Sequence, residues 1–399
     1  MRVAHVISEF SAHEAMGRTI AESVDRIADA EHHLVTTRVH DGADRFDSVH
    51  EVGGSITTFV VRRSEQVAAA LDEIDADLVH LHGGALTPLW AHTSGLRNRP
   101  IVQTIYGWPK IPSLRAWRAS GLGLGALRRS NVLRARVLMT SLLPDRLVAG
   151  ALTTSPTRSI LTPDATAERR LSRRGIPVTR LGSGAEVSDR LAAYSSDRPT
   201  ILFAGRAERV RGIETLVEAF EAVVVRVPDA RLRLLLIPTA DLDAVLDRVR
   251  RSPQAAAIEV STTPVDDLDA ELADAQVGVW PFHFDYTTSP PAMAVAEAMA
   301  VGLPVVATKV GCVESVATDG VDADLVPVGD ASSLAERIVR LLRDPDLWAS
   351  RSASARDTIA RSASWSVAAD ATRRAYGLVP EHVSISAGHE PAPELVEVR

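Results

Sequence analysis

The feature that most constrains this chain is an alternation: short apolar runs of strand length, each followed by a stretch with apolar residues at helical spacing. In the first half the runs are Arg2–Ser8, Leu78–Leu81 and Ile101–Ile105, with a helix expected over Gly17–Ala30. A second series begins at Pro199, with strands expected at Thr200–Ala204, Leu232–Ile237, Ile258–Ser261, Val277–Trp280 and Pro304–Ala307. Between them come expected helices at Ile213–Val227, Leu242–Arg250, Asp266–Ala273 and Pro291–Val301. Strands alternating with helices of this length build parallel, doubly wound sheets. Two such series predict an α/β chain of two Rossmann-like domains, over residues 1–185 and 186–361, joined by a polar hinge at Gly182–Asp189.

Composition narrows the function classes. The 399 residues are enough for two or three domains, each with its own core. A net charge of -7 argues against nucleic acid as a partner. One cysteine, Cys312, excludes a disulfide scaffold and a thiolate metal cage. Lys110 and Lys309 are the only lysines among 44 basic residues, which leaves few candidates for Schiff-base chemistry. The N-terminal apolar run is too short for a signal peptide and meets Glu9 at once. The apolar stretch Ala292–Ala307 contains Glu297, Gly302 and Pro304 and falls short of the roughly 20 residues that span a bilayer. A cytoplasmic protein is expected, ending in a flexible acidic tail over 379–399.

Two segments carry the chemistry. In Ser289–Ala300, Ser289 is placed to cap a helix whose first position is Pro291, and the following backbone N–H groups form an anion site. Glu297 sits two turns along, on a helix otherwise made of Ala, Val and Met. A carboxylate there needs partners. A ribose cis-diol supplies two donors; a buried arginine is the alternative. In Ile201–Leu216, a strand leads into a turn with Gly205, Arg206, Arg211 and Gly212 and then a helix. Arginines at the carboxyl end of a strand suit a diphosphate through charge-assisted bonds, although either one alone reads equally as a solvated loop residue.

With these residues the sequence resembles the family 4 glycosyltransferases of the GT-B fold. Gly205-Arg206 with Arg211-Gly212 is similar to that family's glycine-arginine loop, with arginine at its lysine position. Glu297-Ala298-Met299-Ala300 followed by Gly302-Leu303-Pro304-Val305-Val306-Ala307-Thr308 matches its second motif. Asp77–Gly83 and Pro100–Thr104 extend the resemblance into the N-terminal half, and Ser364-Trp365 extends it toward the end.

The resemblance implies two facing domains with a nucleotide-diphosphate sugar (UDP-, GDP- or dTDP-linked) between them. It further implies retention of configuration, no metal, no further cofactor, and a leaving diphosphate that helps deprotonate the acceptor. Arg206 and Arg211 would stabilise that diphosphate and Glu297 would bind ribose, and these are the catalytic candidates. Gly17, Gly205, Ser289, Pro291, Ala292 and Met293 would line the donor, with Ser261, Thr263 and Val265 around the base. A last helix within 362–378 would cross back to the first domain. His13, His82, Tyr106 and Trp108 are candidates for the acceptor side.

Three departures bear on specificity. Ser289 stands where the family has a glutamate for sugar hydroxyls, which suggests an unusual donor sugar or one bound chiefly by the backbone N–H groups of residues 291–293. Met16-Gly17 replaces a glycine pair, and Tyr106 replaces a histidine while keeping a hydrogen-bond donor. Altered specificity or lost activity both follow from such changes. The basic stretch Gly107–Leu147, with a loop at Gly121–Gly125, reads as a solvated face or as a contact for a membrane surface or a phosphorylated acceptor. Asp241/Asp243, Asp267/Asp269 and Asp322/Asp324 are expected to be solvated carboxylates, and the histidines show no metal spacing in sequence. The expected function is retaining sugar transfer to a small-molecule or lipid-linked hydroxyl acceptor. The alternatives are a non-catalytic nucleotide-sugar-binding subunit or a GT-B epimerase.

Overall fold

The computed structural model describes residues 1–53, 62–108, 113–120, 142–182, 184–285 and 287–378. Two parallel sheets organise it. The first contains β1 (Arg2–Val6), β2 (Glu31–Thr36), β3 (Ser48–Glu51), β4 (Leu78–Gly83), β5 (Ile101–Ile105), β6 (Thr157–Thr162) and β7 (Thr179–Arg180), in the order β3-β2-β1-β4-β5-β6-β7. The second contains β8 (Thr200–Arg206), β9 (Arg231–Ile237), β10 (Ile258–Ser261), β11 (Val277–Trp280), β12 (Val305–Thr308) and β13 (Asp324–Val326), in the order β10-β9-β8-β11-β12-β13.

Chain order reverses between β1 and β4 in one sheet and between β8 and β11 in the other. In open parallel sheets these switch points leave a crevice at the carboxyl ends of the strands, where ligands bind. The loop after β8 holds Arg206–Gly212, and the loop after β11 leads through Ser289 to the helix Met293–Ala300. The strand pattern therefore puts both motif segments beside one crevice.

Near-continuous apolar strands such as Ile201–Ala204 and Val305–Ala307 are buried on both faces, as parallel strands covered by helices must be. The helix Trp365–Tyr376 packs against the helix Ala15–Arg26 and against β6, so this segment rejoins the first sheet. Its N-cap Ser364 accepts from the Val367 amide. At the segment expected to be a hinge, a Cβ on Gly182 would lie 2.0 Å from the Ser362 carbonyl oxygen. That glycine lets the chain lie flat against the returning segment.

Several local expectations need correction. The helix expected from Gly17 runs Ala15–Arg26, and the Ile27 carbonyl accepts from His32 Nε2–H instead of extending the ladder. Ser289 does not cap a helix and Pro291 is not its first residue. The Pro290–Pro291 peptide is cis and the helix starts at Met293, with Ala292 at the capping position. A residue before proline is steered away from helical backbone, so consecutive prolines delay the start. Asp322 and Asp324 are not solvated: they are 2% and 0% exposed. Asp324 pairs with Arg351 at 3.2 Å, while Asp322 accepts from the Thr318 amide and the Thr358 hydroxyl.

Candidate active site

The loop after β8 is built around one carboxylate. Glu208 accepts from Arg206 Nε at 3.1 Å on one oxygen and from Arg211 Nε at 3.2 Å on the other. Both guanidinium forks are thus held by their Nε side, which leaves the terminal amino groups to meet an anion. Arg211 is the more buried, with its Cζ 5.7 Å from the Phe282 ring centre. Burial lowers its pKa and Glu208 opposes that shift. Arg206 is 48% exposed on the crevice rim. A Cβ on Gly205 would make only ordinary contact with Arg211, 3.6 Å from Nη1. Gly212 adopts φ +76°, and a Cβ on it would stand 1.9 Å from the Pro281 carbonyl oxygen. Only glycine lets the loops after β8 and β11 touch there.

Glu297 has a partner from the other sheet. Arg18 Nη1 donates to Glu297 Oε1 at 2.6 Å. Burial raises the Glu297 pKa and Arg18 pulls it back. The partner is an arginine 279 positions away and is itself 36% exposed rather than buried.

Of the three residues expected to offer backbone amides, Pro291 has no N–H and the Ala292 N–H is spent on the Cys312 carbonyl at 3.0 Å. The first amides without an intrahelical acceptor begin at Met293. Ser261, Thr263 and Val265 line a cavity of about 350 Å³ at the end of β10, together with Arg233, Asp266 and Glu271. Gly17 has a structural reason to be glycine: a Cβ on it would lie 2.0 Å from the Ser11 carbonyl oxygen.

The acceptor-side candidates divide. His13 is exposed and its amide bonds to Ser11 Oγ. His82, Tyr106 and Trp108 are buried at 3%, 4% and 1% exposure. Trp108 packs in the first domain's core, with its amide on the Asp164 carboxylate at 2.7 Å.

His82 and Tyr106 belong to a polar chain across the sheet. A carbonyl can only accept, so His32 Nε2–H donates to Ile27 and its Nδ1 must accept from His5 Nε2–H at 3.0 Å. His5 Nδ1 then accepts from His82 Nε2–H at 3.1 Å, and His82 Nδ1 accepts from the Tyr106 hydroxyl at 3.3 Å. The one Tyr106 proton is therefore directed inward, toward His82. Burial lowers the pKa values of His5, His32 and His82, and raises that of Tyr106.

His80 joins from the side, bonded to Thr104 Oγ1 at 2.7 Å and to the Tyr376 hydroxyl at 2.6 Å. His5, His80 and His82 bring ring nitrogens within 4.8 Å of one another, a spacing that fits a metal cage. Every nitrogen of the trio is already in a hydrogen bond, so none needs an ion to satisfy it. The His80-x-His82 alternation on β4 was the signal for this cluster, since period two puts both rings on one face.

Of the basic stretch, 109–112 and 121–141 lie outside the described residues, with Lys110 and Gly121–Gly125 among them. Arg115 pairs with Asp330 at 3.2 Å. Cys312 is fully buried and its thiol is pushed up to about 12. Among the described residues, no helix is long and apolar enough to cross a membrane. Arg18 and Glu208 are the polar partners that the motifs did not reveal.

With this geometry in hand, comparison with known proteins is decisive for the second domain. Residues 198–344 match the family model for glycosyl transferases group 1. The chain has the GT-B fold, and its residues 198–344 are similar to the group 1 glycosyl transferases. It is 31% identical over 210 residues to a phosphatidyl-myo-inositol mannosyltransferase of Mycobacterium leprae, covering 51% of this chain and 52% of that protein. It is 28% identical over 207 residues to a D-inositol 3-phosphate glycosyltransferase of Saccharomonospora viridis, covering 49% and 47%. The chain thus spans about half the length of the relatives it matches. The solved structure of Anabaena HepE in complex with UDP superposes with a TM-score of 0.71 at 13% identity, covering 95% of this chain and all of that one. At that identity the superposition carries the GT-B fold alone.

Proposed function

We propose that this GT-B chain transfers a sugar from a nucleotide-diphosphate sugar to a hydroxyl acceptor, with retention and without a metal ion. The observation that carries the reading is Glu208 between Arg206 and Arg211: one carboxylate orients two arginines at the carboxyl end of β8, with their amino groups free. Charge builds on the departing diphosphate in the transition state, and preorganised cations there supply the largest share of the rate. Arg206 and Arg211 fill that role. Glu297, reached from the amide end of its helix, receives the ribose diol. The cavity at Ser261–Val265 receives the base.

The relatives, a phosphatidyl-myo-inositol mannosyltransferase and a D-inositol 3-phosphate glycosyltransferase, support an acceptor that is a phosphorylated polyol, free or lipid-linked. Arg115 and the basic stretch around it suit such a phosphate, at a membrane face or in solution. One observation favours a second reading, nucleotide-sugar binding without turnover: the inward-directed hydroxyl of Tyr106 offers the crevice no proton.

The test is nucleoside diphosphate release from UDP-, GDP- and dTDP-sugars, with and without inositol phosphates or phosphatidylinositol vesicles. Release that depends on Arg206 and Arg211 supports transfer. Release unchanged in Arg206→Ala removes the site assignment, and binding without release for every pair selects the second reading.

A further inference from the structure

The ion pair between Arg18 and Glu297 is the most informative contact in the crevice that the proposed reaction leaves unexplained. Arg18 lies in the first turn of the helix Ala15–Arg26, beside Gly17, and reaches into the opposite domain. Its Cζ lies 5.6 Å from the Trp365 ring centre. Along one helix face, Arg18, Glu22 and Arg26 follow at four-residue steps. Glu22 is 4.0 Å from Arg18, and Arg26 continues to Glu186 at 3.1 Å. The face therefore meets Glu297 in the second domain and Glu186 in the connecting segment.

Glu297 is a poor place for a permanent ion pair. Its helix is otherwise apolar, its side chain is 16% exposed, and Asp269 adds a repulsive charge. Arg18, by contrast, is 36% exposed and has a second carboxylate, Glu22, within its own helix. The arginine thus has a second carboxylate to turn to and more exposure than the glutamate.

We propose that Arg18 is an exchangeable ligand of the donor site, holding Glu297 before the nucleotide arrives and passing to the diphosphate when ribose takes the carboxylate. The inference rests on the reading of Glu297 as the ribose carboxylate. A cis-diol bridging both carboxylate oxygens needs Oε1, which now accepts from Arg18. Ribose and the first phosphate are covalently adjacent, so a guanidinium displaced from the diol site by ribose is within a side chain's reach of phosphate oxygens. Arg18 becomes the third arginine of the diphosphate site, supplied by the domain that does not carry Arg206 and Arg211. Donor binding and domain approach are coupled through one side chain.

The exchange predicts effects of opposite sign on two ligands of one site. Binding of uridine and guanosine, and of UDP and GDP, is measured by titration calorimetry with the full chain. Arg18→Ala removes a competitor for ribose and is expected to tighten nucleoside binding by about twofold to fivefold, the scale of a partly exposed ion pair. The same variant loses a charge-assisted phosphate contact and is expected to weaken nucleoside diphosphate binding by at least about tenfold. Arg18→Lys keeps the point charge and recovers part of the diphosphate affinity. Arg18→Gln repeats the comparison if the alanine variant does not fold.

Equal changes for both ligands, or none, overturn the exchange. Glu297→Ala separates the two levels. If it weakens both ligands while Arg18→Ala moves neither, the ribose reading stands and the exchange fails. If it leaves nucleoside affinity unchanged, the ribose reading fails and takes the exchange with it.

Discussion

Tyr376, in the last helix, and His80, in the fourth strand of the first sheet, share a hydrogen bond of 2.6 Å between the phenol oxygen and Nδ1. Both side chains are buried. The bond fastens a helix that follows the second domain to the sheet of the first, at a sequence separation of 296 residues. Replacing Tyr376 with Phe keeps the ring packing and leaves a buried imidazole nitrogen without its partner. Such an orphan costs about 1–3 kcal/mol. Urea unfolding of Tyr376→Phe is expected to show that loss, and an unchanged midpoint would mean the bond adds nothing.

The histidine chain gives stability a definite pH dependence. Burial is the largest cause lowering the pKa values of His5, His32, His80, His82 and His283, with His80 brought to about 3 and His283 to about 4. In the unfolded chain these rings take up protons near pH 6.5, so below that value unfolding binds protons and is favoured. Their contribution is complete above about pH 6.5 and is lost as pH falls toward the folded values. Asp164, Asp322 and Glu297, whose pKa values burial raises, act in the opposite sense at the acid end. The loss is therefore expected to set in near pH 6.5 and to steepen toward about pH 5. Melting temperatures flat from pH 7 to 5 would contradict neutral, buried rings.

What the sequence made legible was periodic or local. Alternating apolar runs announced two parallel sheets, and the spacing from Gly205 to Gly212 placed a loop with two arginines at the end of a strand. Glu208 lay in that loop in plain view, but an acid among arginines reads as surface charge until the fold turns all three side chains together. The pairing of Arg18 with Glu297 joins residues from different domains, and no periodicity connects them. Ser289 misled because its neighbours satisfied a capping pattern, whereas the two prolines after it delay the helix to Met293. Asp322 and Asp324 looked solvated because a turn was expected around them. In the fold Asp324 belongs to an edge strand covered by Arg351, a contact made by the much later helix Pro345–Thr358.

Gly212 joins the two loops that frame the crevice, and its substitution tests that junction. Its φ of +76° disfavours any side chain, and a methyl group would stand 1.9 Å from a backbone oxygen that is not free to move away. Strain and overpacking together are expected to cost about 2–4 kcal/mol in Gly212→Ala. The loop after β8 must then shift relative to β11, so nucleoside diphosphate affinity falls in whatever fraction remains folded. Gly320 has a similar φ of +76° with nothing within 4 Å of the added Cβ, and Gly320→Ala is the control. Equal losses in the two variants would assign the cost to backbone strain alone.

Glu208 is expected to act only through the two arginines it holds, and this can be separated from a direct role. In the proposed transfer, Arg206→Ala or Arg211→Ala removes one cation from the leaving diphosphate and lowers kcat by roughly 10²–10³, the scale of losing one preorganised charge-stabilising group. Glu208→Ala leaves both cations in place but frees their Nε groups, so the forks lose orientation rather than charge. A loss of about tenfold in kcat is expected, because misplacing a group by about 1 Å costs up to 10²-fold. The site also becomes more positive, which tightens nucleoside diphosphate binding while turnover slows. In the Arg206→Ala/Arg211→Ala background Glu208 has nothing left to orient, and adding Glu208→Ala should change kcat little. Additive losses in the triple variant, or weaker nucleoside diphosphate binding in Glu208→Ala alone, would instead mean that Glu208 supports the loop or meets the substrate itself.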